Sequence, residues 1–245
     1  MRVVGHRGAA DLAPENTFAG FDLALQIGAT AIETDIQKTK DGKLVLFHDE
    51  RLDRTTNGSG ALRETTWEEL QQLDAGSWFD KKYAGERVPL LQDFLEKYGK
   101  RTLLELEIKQ AGIEDDVLEV AERFCIIERV TFTSYVFLTI CNIKRKNPFA
   151  RVGYLTDDFS EQNVQKVIEE KMECFCPKAE KVTKELVEYW RSLHLFVRAY
   201  GVKTPEIMRH AIRSDVDGMT VNSPRSLLEE LEKTAKTKEL EALAN

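Results

Sequence analysis

Two short runs of the chain place carboxylate side chains among apolar residues. Glu33 and Asp35 stand two apart in the first run, and Glu105, Glu107 and Lys109 alternate with leucine and isoleucine in the second. Residues two apart in a strand point to the same face, so each run presents its charges together. Carboxylates on a buried face are costly unless a cation neutralises them. The pattern therefore predicts a metal ion or basic side chains beside these acids.

A hairpin is predicted to bring a histidine to the same face. The Asp-Gly pair at 41–42 is typical of a two-residue hairpin loop, and an apolar run that ends in His48 follows it. Following the pairing back from that loop sets Asp35 opposite His48. Because directly opposed residues share a face at about 5 Å, we expect Glu33, Asp35 and His48 to converge.

Acids, basic residues and histidines then surround one point. Carboxylate oxygens suit a hard divalent cation, Mg²⁺ in the first place and Ca²⁺ as the alternative, and no thiolate or multi-histidine cluster indicates zinc. Arg7 and Lys109 can hold an anion, Arg7 through a bidentate fork. His6 and His48 can serve as general base and general acid, in an order that the sequence leaves open. This set matches the needs of in-line attack on a phosphodiester.

Each of these residues also has an ordinary structural interpretation. A single strand carboxylate such as Glu105 is most often salt-bridged or solvent-facing, and a histidine at a strand end is usually a hydrogen-bonded structural residue. We favour the functional interpretation because three separate segments would each have to place mismatched polar residues at strand ends.

The elements that position these residues alternate along the whole chain, as short apolar runs and longer amphipathic stretches. The predicted strands are Arg2–His6, Ala31–Gln37, Arg101–Ile108, Val130–Ser134, Arg151–Leu155, Cys174–Pro177, Leu195–Val202 and Gly218–Val221. The predicted helices include Thr17–Ile27, capped by Asn16, then Asp115–Phe124, Phe137–Lys146, Gln162–Glu170, Lys184–Ser192 and Pro205–Ser214. About eight β/α repeats predict a closed TIM (β/α)8 barrel, with its active site at the carboxyl ends of the strands. The alternative is a doubly wound open sheet, which usually has a glycine-rich first turn, and no G-x-G-x-x-G occurs here.

The chain is predicted to form a single domain over residues 1–245. Residues 49–100 interrupt the alternation with turns and a short helix capped near Thr65 or Thr66, and we expect a small insertion on the barrel rim. Few of these residues are apolar, so an independent domain is not expected. The tail from about residue 229 is charged and is predicted to be a solvated terminal helix.

Composition excludes several classes of protein. The formal net charge of −7 argues against general nucleic-acid binding, and no apolar run approaches the roughly 18 residues of a membrane span. The first residues pass straight into a predicted strand and leave no room for a signal peptide. The four cysteines match no zinc-ribbon or redox pattern, so we expect buried free thiols and a cytoplasmic location. The oligomeric state is left open.

Seven motifs in roughly the first 110 residues resemble the glycerophosphodiester phosphodiesterase family. They are His6-Arg7-Gly8, Pro14-Glu15-Asn16-Thr17, Glu33-x-Asp35, Thr39-Lys40-Asp41-Gly42, His48-Asp49, Arg54-Thr55-Thr56-Asn57-Gly58 and Glu107-Ile108-Lys109. The resemblance implies a TIM barrel with a small rim insertion after the second histidine. It implies hydrolysis of a small glycerophosphodiester to sn-glycerol 3-phosphate and an alcohol. It also implies three sets of functional residues: metal ligands Glu33, Asp35 and Glu107; an acid/base pair of His6 and His48; and phosphate contacts from Arg7 and Lys109.

The second half departs from the family pattern at two places. Residues 198–202 read Arg-Ala-Tyr-Gly-Val where many members carry Trp-Thr-Val-Asn, and Asn222 stands where aspartate is usual. Arg198 and Tyr200 would share a face. If that face lines the pocket, the wall is more cationic and favours hydroxyl-rich or anionic alcohols over choline. In the alternative, Arg198 points outward into the helix layer.

Two other functions are kept as alternatives. A lyase-type phosphodiesterase on the same barrel would release a cyclic phosphate, with the substrate's own hydroxyl as nucleophile. A non-catalytic metabolite-binding barrel would keep the fold without turnover, and it is disfavoured because every chemically required position is filled.

Overall fold

The computed structural model describes residues 1–244, with side chains described through residue 237. The described residues form the strands β1 (Arg2–Gly5), β2 (Ala31–Lys38), β3 (Leu44–Leu46), β4 (Leu103–Ile108), β5 (Val130–Ser134), β6 (Arg151–Thr156), β7 (Cys174–Pro177), β8 (Phe196–Ala199) and β9 (Gly218–Val221). All except β3 are parallel and lie in the order β1-β9-β8-β7-β6-β5-β4-β2. Since β1 also pairs with β2, the sheet closes into a barrel. The predicted TIM barrel is confirmed, and the doubly wound alternative is wrong.

Helices cover the outside of the barrel. They are α1 (Phe18–Ile27), α3 (Leu91–Tyr98), α4 (Glu114–Arg123), α5 (Phe137–Lys146), α6 (Glu161–Glu169), α7 (Lys184–Ser192), α8 (Pro205–Arg213) and α9 (Pro224–Ala244), while the short helix α2 (Trp67–Leu70) lies in the connection between β3 and β4. The barrel strands read as nearly continuous buried runs because both of their faces are covered. The main core lies between strands and helices, where Phe132, Phe175 and Trp190 are fully buried.

The chain between β3 and β4 divides into two parts. Residues 47–90, called the rim segment below, form turns, short 3-10 helices and α2. A small cluster of buried residues holds them together: Val45, Phe47, Leu52, Leu62, Leu70, Ala75 and Val88. Helix α3 instead packs into the main core through Leu91, Phe94 and Tyr98. The insertion predicted at 49–100 therefore extends too far, because it includes a helix of the barrel layer. The cap expected near Thr65 or Thr66 is Thr66, in a capping box with Glu69.

The hairpin of β2 and β3 closes one residue away from the predicted register. Thr39 and Lys43 bracket a three-residue loop in which Gly42 has a φ of 85°. The Thr39 hydroxyl accepts a hydrogen bond from Lys43 N at 2.9 Å and fixes this wider loop. Phe47 N consequently donates to Asp35 O at 3.0 Å, so Phe47, not His48, lies opposite Asp35. The predicted cross-strand pair of Asp35 and His48 is wrong.

The last helix and the cysteines show where burial differs from expectation. Helix α9 begins at Pro224, earlier than predicted, and buries Leu227 in the main core. The tail from about residue 229 was expected to have a charged, solvated face. The part of that face beyond residue 237, together with Asn245, lies outside what the structure describes. Three cysteines are buried as expected, whereas Cys125 is exposed because it follows α4 in a left-handed surface turn, with a φ of 54°. Among the helices that the structure describes, none combines the length and the apolar character that a membrane span needs.

Candidate active site

Three buried carboxylates meet at one edge of the barrel mouth. Parallel pairing of β2 with β4 sets Asp35 beside Glu107, while Glu33 lies two residues earlier on the same face of β2. One carboxylate oxygen from each residue lies within 4.8 Å of the others. Their relative exposures are 2% for Glu33, 0% for Asp35 and 8% for Glu107. Pairing of β2 with β4 therefore brings these three acids together, whereas the hairpin was expected to bring His48 to Glu33 and Asp35.

Burial and mutual repulsion act on the titration of this cluster. Burial first, and then the charges of Asp35 and Glu107, raise the pKa of Glu33 well above its ordinary value. Burial, followed by the charge of Asp35, also raises the pKa of Glu107. Burial alone would also raise the pKa of Asp35, but the positive charges around it, led by Arg7, hold that pKa below its ordinary value. The cluster thus concentrates negative charge that its own neighbours only partly neutralise.

Two oxygens of the cluster lack hydrogen bonds. Within the described residues, Glu33 Oε1 and Asp35 Oδ1 are buried and have no hydrogen-bond partner. Unpaired buried oxygens of this kind are costly, and a hard divalent cation takes carboxylate oxygens as its preferred ligands. The donor set, its burial and these two oxygens fit a divalent metal ion.

Two basic side chains flank the carboxylates. Arg7 Nε lies 3.1 Å from Asp35 Oδ2, as an ion pair without the alignment of a hydrogen bond, and Arg7 Nη1 donates to Glu15 Oε1 at 2.8 Å. Lys109 Nζ donates to Glu107 Oε1 at 2.7 Å and lies 3.7 Å from Asp35 Oδ1. Glu15 therefore holds Arg7, and both cations face the carboxylates.

The loop from β1 to α1 folds tightly to bring Arg7 to this place. Arg7 adopts a φ of 51°, and its N–H donates to Glu33 Oε2 at 2.8 Å. Gly8 has a φ of 91°, and a Cβ there would lie 2.5 Å from the carbonyl carbon of Gly20. Only glycine accommodates both the conformation and the close approach. The spacing of His6-Arg7-Gly8 thus has a steric reason.

Asn16 is a part of the site that the sequence assigned to another role. Thr17, not Asn16, caps α1, because its side chain accepts from Gly20 N. Asn16 has a φ of 52° and donates from Nδ2 to Asp35 Oδ2 at 2.9 Å. Its Oδ1 accepts from the Thr34 hydroxyl at 2.8 Å. Asn16, on the β1–α1 loop, therefore orients one carboxylate of the cluster.

His6 lies beside the carboxylates at the end of β1. Its Nδ1 is 2.6 Å from Asn222 Oδ1, which assigns the Nδ1 proton to that contact and leaves Nε2 as acceptor. Nε2 lies 4.0 Å from Glu33 Oε2. Burial, followed by the charge of Arg7, lowers the pKa of His6 to about 4. The ring is therefore neutral near pH 7.

His48 stands on the rim segment and lines the same cavity as His6. Its Nδ1 is 2.6 Å from Asp49 Oδ1. Gln37 on β2 holds the backbone around it, because the Gln37 amide donates to the carbonyls of Phe47, His48 and Asp49 at 2.8–3.0 Å. Both histidines, Arg7 and Lys109 line one cavity of about 320 Å³.

The opposite wall of that cavity contains the residues at which the sequence departs from the family pattern. Arg198 points into the barrel and is 3% exposed, so the outward orientation is wrong. Its Nε lies 2.7 Å from Glu105 Oε2, as an ion pair without hydrogen-bond alignment, and one amino group donates to Thr220 Oγ1 at 2.6 Å. Glu105 is thus salt-bridged, as its structural interpretation predicts, and it neutralises Arg198.

The outer part of this wall is aromatic and basic. Tyr135 follows β5 and Tyr200 follows β8, and their rings meet edge to face with centroids 5.4 Å apart. Lys178 and Lys203 line the cavity beside them, and Lys178 is paired with Glu180 at 2.5 Å.

The fold and the site together define a (β/α)8-barrel enzyme of phosphoric diester chemistry. The model of the glycerophosphoryl diester phosphodiesterase family matches residues 6–226. The chain belongs to that family.

Relatives of known name agree with this assignment. A glycerophosphodiester phosphodiesterase of Caldanaerobacter subterraneus is 34% identical over 232 residues, which cover 92% of this chain and 96% of that protein. The crystal structure of a glycerophosphodiester phosphodiesterase from Agrobacterium tumefaciens superposes with a TM-score of 0.84 at 30% identity, covering 93% of this chain and 98% of the other. A phosphodiesterase from Oleispira antarctica, in complex with the product sn-glycerol-3-phosphate, gives a TM-score of 0.84 at 25% identity and covers 95% of this chain and 97% of its own.

Proposed function

We propose that this protein hydrolyses glycerophosphodiesters to sn-glycerol 3-phosphate and an alcohol. The observation that carries the proposal is a single cavity in which a buried carboxylate cluster with two unpaired oxygens lies between two histidines and two basic side chains. The product bound to the Oleispira antarctica relative supports the choice of substrate class.

Glu33, Asp35 and Glu107 would hold one divalent cation, with Mg²⁺ favoured over Ca²⁺ as a catalytic phosphate-binding ion. When bound, the ion supplies Lewis-acid polarisation of the phosphate oxygens. Asn16 keeps Asp35 in place for this role through its hydrogen bond to Oδ2. The three carboxylates do not take part in proton transfer in this proposal.

Arg7 and Lys109 bind the phosphate. Both already face the carboxylate cluster, so a phosphate group beside the metal ligands lies within reach of a guanidinium fork and an ammonium group. Their positive charges stabilise the charge that develops on the phosphoryl oxygens during in-line attack. The β1–α1 loop fixes Arg7 for this contact.

His6 acts as the general base and His48 as the general acid. Because its Nδ1 proton is directed to Asn222 Oδ1, His6 presents Nε2 as the acceptor that takes a proton from the attacking water. Asp49 holds His48 through Nδ1 and leaves Nε2 to donate a proton to the departing alcohol oxygen. Water then adds to phosphorus as the bond to that oxygen breaks.

The test is a panel of glycerophosphodiesters assayed with metal-free enzyme, with chelator and after Mg²⁺ or Ca²⁺ is added back. We expect no turnover in chelator, recovery on add-back, and sn-glycerol 3-phosphate as the phosphorus NMR signal. Glu107→Gln should lose activity, whereas Glu119→Gln, an exposed acid on α4, serves as the matched control. A cyclic phosphate product would support the lyase alternative, and full turnover by demonstrably metal-free enzyme would refute the metal assignment.

We also infer a single-domain chain and a cytoplasmic location. The cysteines of the described residues are free thiols, which is typical of a reducing compartment. The helices described pack on one barrel, and the rim segment adds a small cluster to it.

A further inference from the structure

Arg54 lies outside the residues that would touch the substrate, yet it joins the partners of two of them. Its side chain donates to Asp49 from Nε at 2.6 Å and from Nη2 at 2.9 Å. It donates to Glu15 from Nη1 and Nη2, both at 2.8 Å. One guanidinium group therefore binds two carboxylates, which is the geometry that arginine provides and lysine does not.

Each of those carboxylates holds a residue of the active site with its other contact. Asp49 Oδ1 lies 2.6 Å from His48 Nδ1, and Glu15 Oε1 accepts from Arg7 Nη1 at 2.8 Å. Arg54 is thus connected to the proposed general acid, His48, through Asp49, and to the phosphate-binding side chain of Arg7 through Glu15. The two groups come from the rim segment and from the β1–α1 loop, and Arg54 joins these segments at the cavity.

The rim segment holds Arg54 in place by its own structure. Arg54 ends a short 3-10 helix, Leu52–Arg54, whose first residue is buried in the cluster of the rim segment. Leu52 N donates to Gly60 O at 3.0 Å, and Thr56 N donates to Leu52 O at 3.1 Å. The backbone under Arg54 is therefore fixed, whereas its side chain remains 45% exposed.

Exposure on this scale limits what these ion pairs add to folding stability, since exposed pairs contribute about 0–1 kcal/mol. Their effect on geometry is different. Without Arg54, Asp49 and Glu15 each lose a bidentate partner, and the carboxylates are free to turn away from His48 and Arg7. A displacement of about 1 Å in a reacting group can cost on the order of 100-fold in rate.

We propose that Arg54 is a positioning residue that holds His48 and Arg7 in their reactive orientation through Asp49 and Glu15. The proposal rests on the function proposed above. It adds a residue of the rim segment to the working parts of the active site, and it gives the Arg54-Thr55-Thr56-Asn57-Gly58 motif a role in catalysis.

The experiment compares Arg54→Ala with Arg51→Ala. Arg51 directly precedes the same 3-10 helix, is 64% exposed and contacts Asp53, so it controls for loss of a neighbouring surface arginine. We expect Arg54→Ala to lower kcat by about 10- to 100-fold with an unfolding midpoint equal to that of Arg51→Ala, whose kcat stays at the wild-type value. Methylguanidinium should restore activity to Arg54→Ala and leave Arg51→Ala unchanged.

A double-mutant cycle separates positioning from a structural role. If Arg54 acts through His48, the loss caused by Arg54→Ala should be several-fold smaller in a His48→Ala background than in the wild type. Asp49→Asn keeps the shape of the side chain and should reproduce much of the Arg54→Ala defect. It therefore also tests the positioning role if Arg54→Ala does not fold. Equal kcat for Arg54→Ala and Arg51→Ala, or an equal Arg54→Ala loss in both backgrounds, would overturn the proposal. Failure of the proposed function would appear instead as an inactive wild type.

Discussion

At the scale of single residues, the ion pair of Arg198 and Glu105 is the most buried charged contact of the barrel interior. Both side chains are 3% exposed, and the pair lies under the carboxylate cluster that would bind the metal. Burial of two charges costs several kcal/mol of solvation per ion, which their attraction offsets only when both partners are present. The pair is thus neutral as a unit and costly once broken.

We therefore predict that Arg198→Ala destabilises the protein by about 3–5 kcal/mol, because it leaves Glu105 buried without a counter-ion. The double variant Arg198→Met with Glu105→Gln removes both charges and should recover much of that loss. Urea unfolding at pH 7 measures both, with Arg145→Ala, an exposed arginine paired with Glu170, as the control. An Arg198→Ala variant as stable as Arg145→Ala would contradict the buried-pair account.

Residue types and their alternation were enough to select Glu33, Asp35, Glu107, Lys109 and the two histidines, because acids two apart in an apolar run are costly to bury without a cation beside them. Residue types and alternation do not predict contacts between segments that are distant in the sequence. Asn16 is a common helix cap, and nothing local shows that it faces Asp35. The sequence also left the direction of the Arg198 side chain open. Alternation shows which residues of a strand share a face, but it does not show whether that face points into the barrel or toward the helices.

At the scale of elements, the hairpin shows how a small error in a loop changes a pair. An Asp-Gly pair usually marks a two-residue loop, but the Thr39 hydroxyl closes a three-residue one and moves every partner by one position. His48 nonetheless reaches the cavity because the chain leaves the strand pairing after Phe47 and Gln37 holds the next carbonyls. The prediction that His48 lies at the site was therefore independent of the predicted register, because the rim segment, and not the pairing of β2 with β3, positions this histidine.

The aromatic pair of Tyr135 and Tyr200 is a second feature at this scale. The tyrosines follow β5 and β8, and β6 and β7 lie between those strands in the barrel. Their edge-to-face contact therefore spans the ends of two strands and forms one wall of the cavity. Lys109 Nζ lies 5.8 Å from the centroid of the Tyr135 ring, so this wall adjoins the basic side chains of the site and can limit the size of the group that the cavity accepts.

We predict that Tyr135→Ala changes which diesters are preferred more than it changes the chemistry. Pocket contacts of this size discriminate substrates by roughly 10- to 200-fold, so kcat/KM for glycerophosphoinositol relative to glycerophosphoethanolamine should rise by about that order. Leu138→Ala is the control, since Leu138 lies three residues further along the chain in the first turn of α5, is 60% exposed and does not line the cavity. A ratio equal in wild type, Tyr135→Ala and Leu138→Ala would show that the aromatic wall does not select the alcohol.

At the scale of the whole molecule, the carboxylate cluster sets function against stability. The pKa of Glu33 is raised by folding, mainly by burial and then by Asp35 and Glu107. A carboxyl group with a raised folded-state pKa destabilises the protein wherever it must ionise, which is above its unfolded-state pKa and so includes pH 7. That cost falls as pH is lowered, because the protonated group carries no charge to desolvate or repel.

Metal binding should reverse this cost, because a cation that binds the folded chain alone stabilises it. The gain is about 2.7 kcal/mol when free metal exceeds its dissociation constant 100-fold. We expect Mg²⁺ or Ca²⁺ to raise the unfolding midpoint of metal-free protein at pH 7. Glu33→Gln removes one repelling charge and one ligand together, so it should be more stable than wild type without metal and gain little when metal is added.

Asp116→Asn, on the outer face of the barrel, should respond to metal as the wild type does. Differential scanning calorimetry of the three proteins, with chelator and with each cation, measures both shifts. Equal metal-induced shifts in Glu33→Gln and wild type would mean that the stabilising ion binds elsewhere, and a metal-free Glu33→Gln less stable than wild type would mean that packing around Glu33 outweighs its charge.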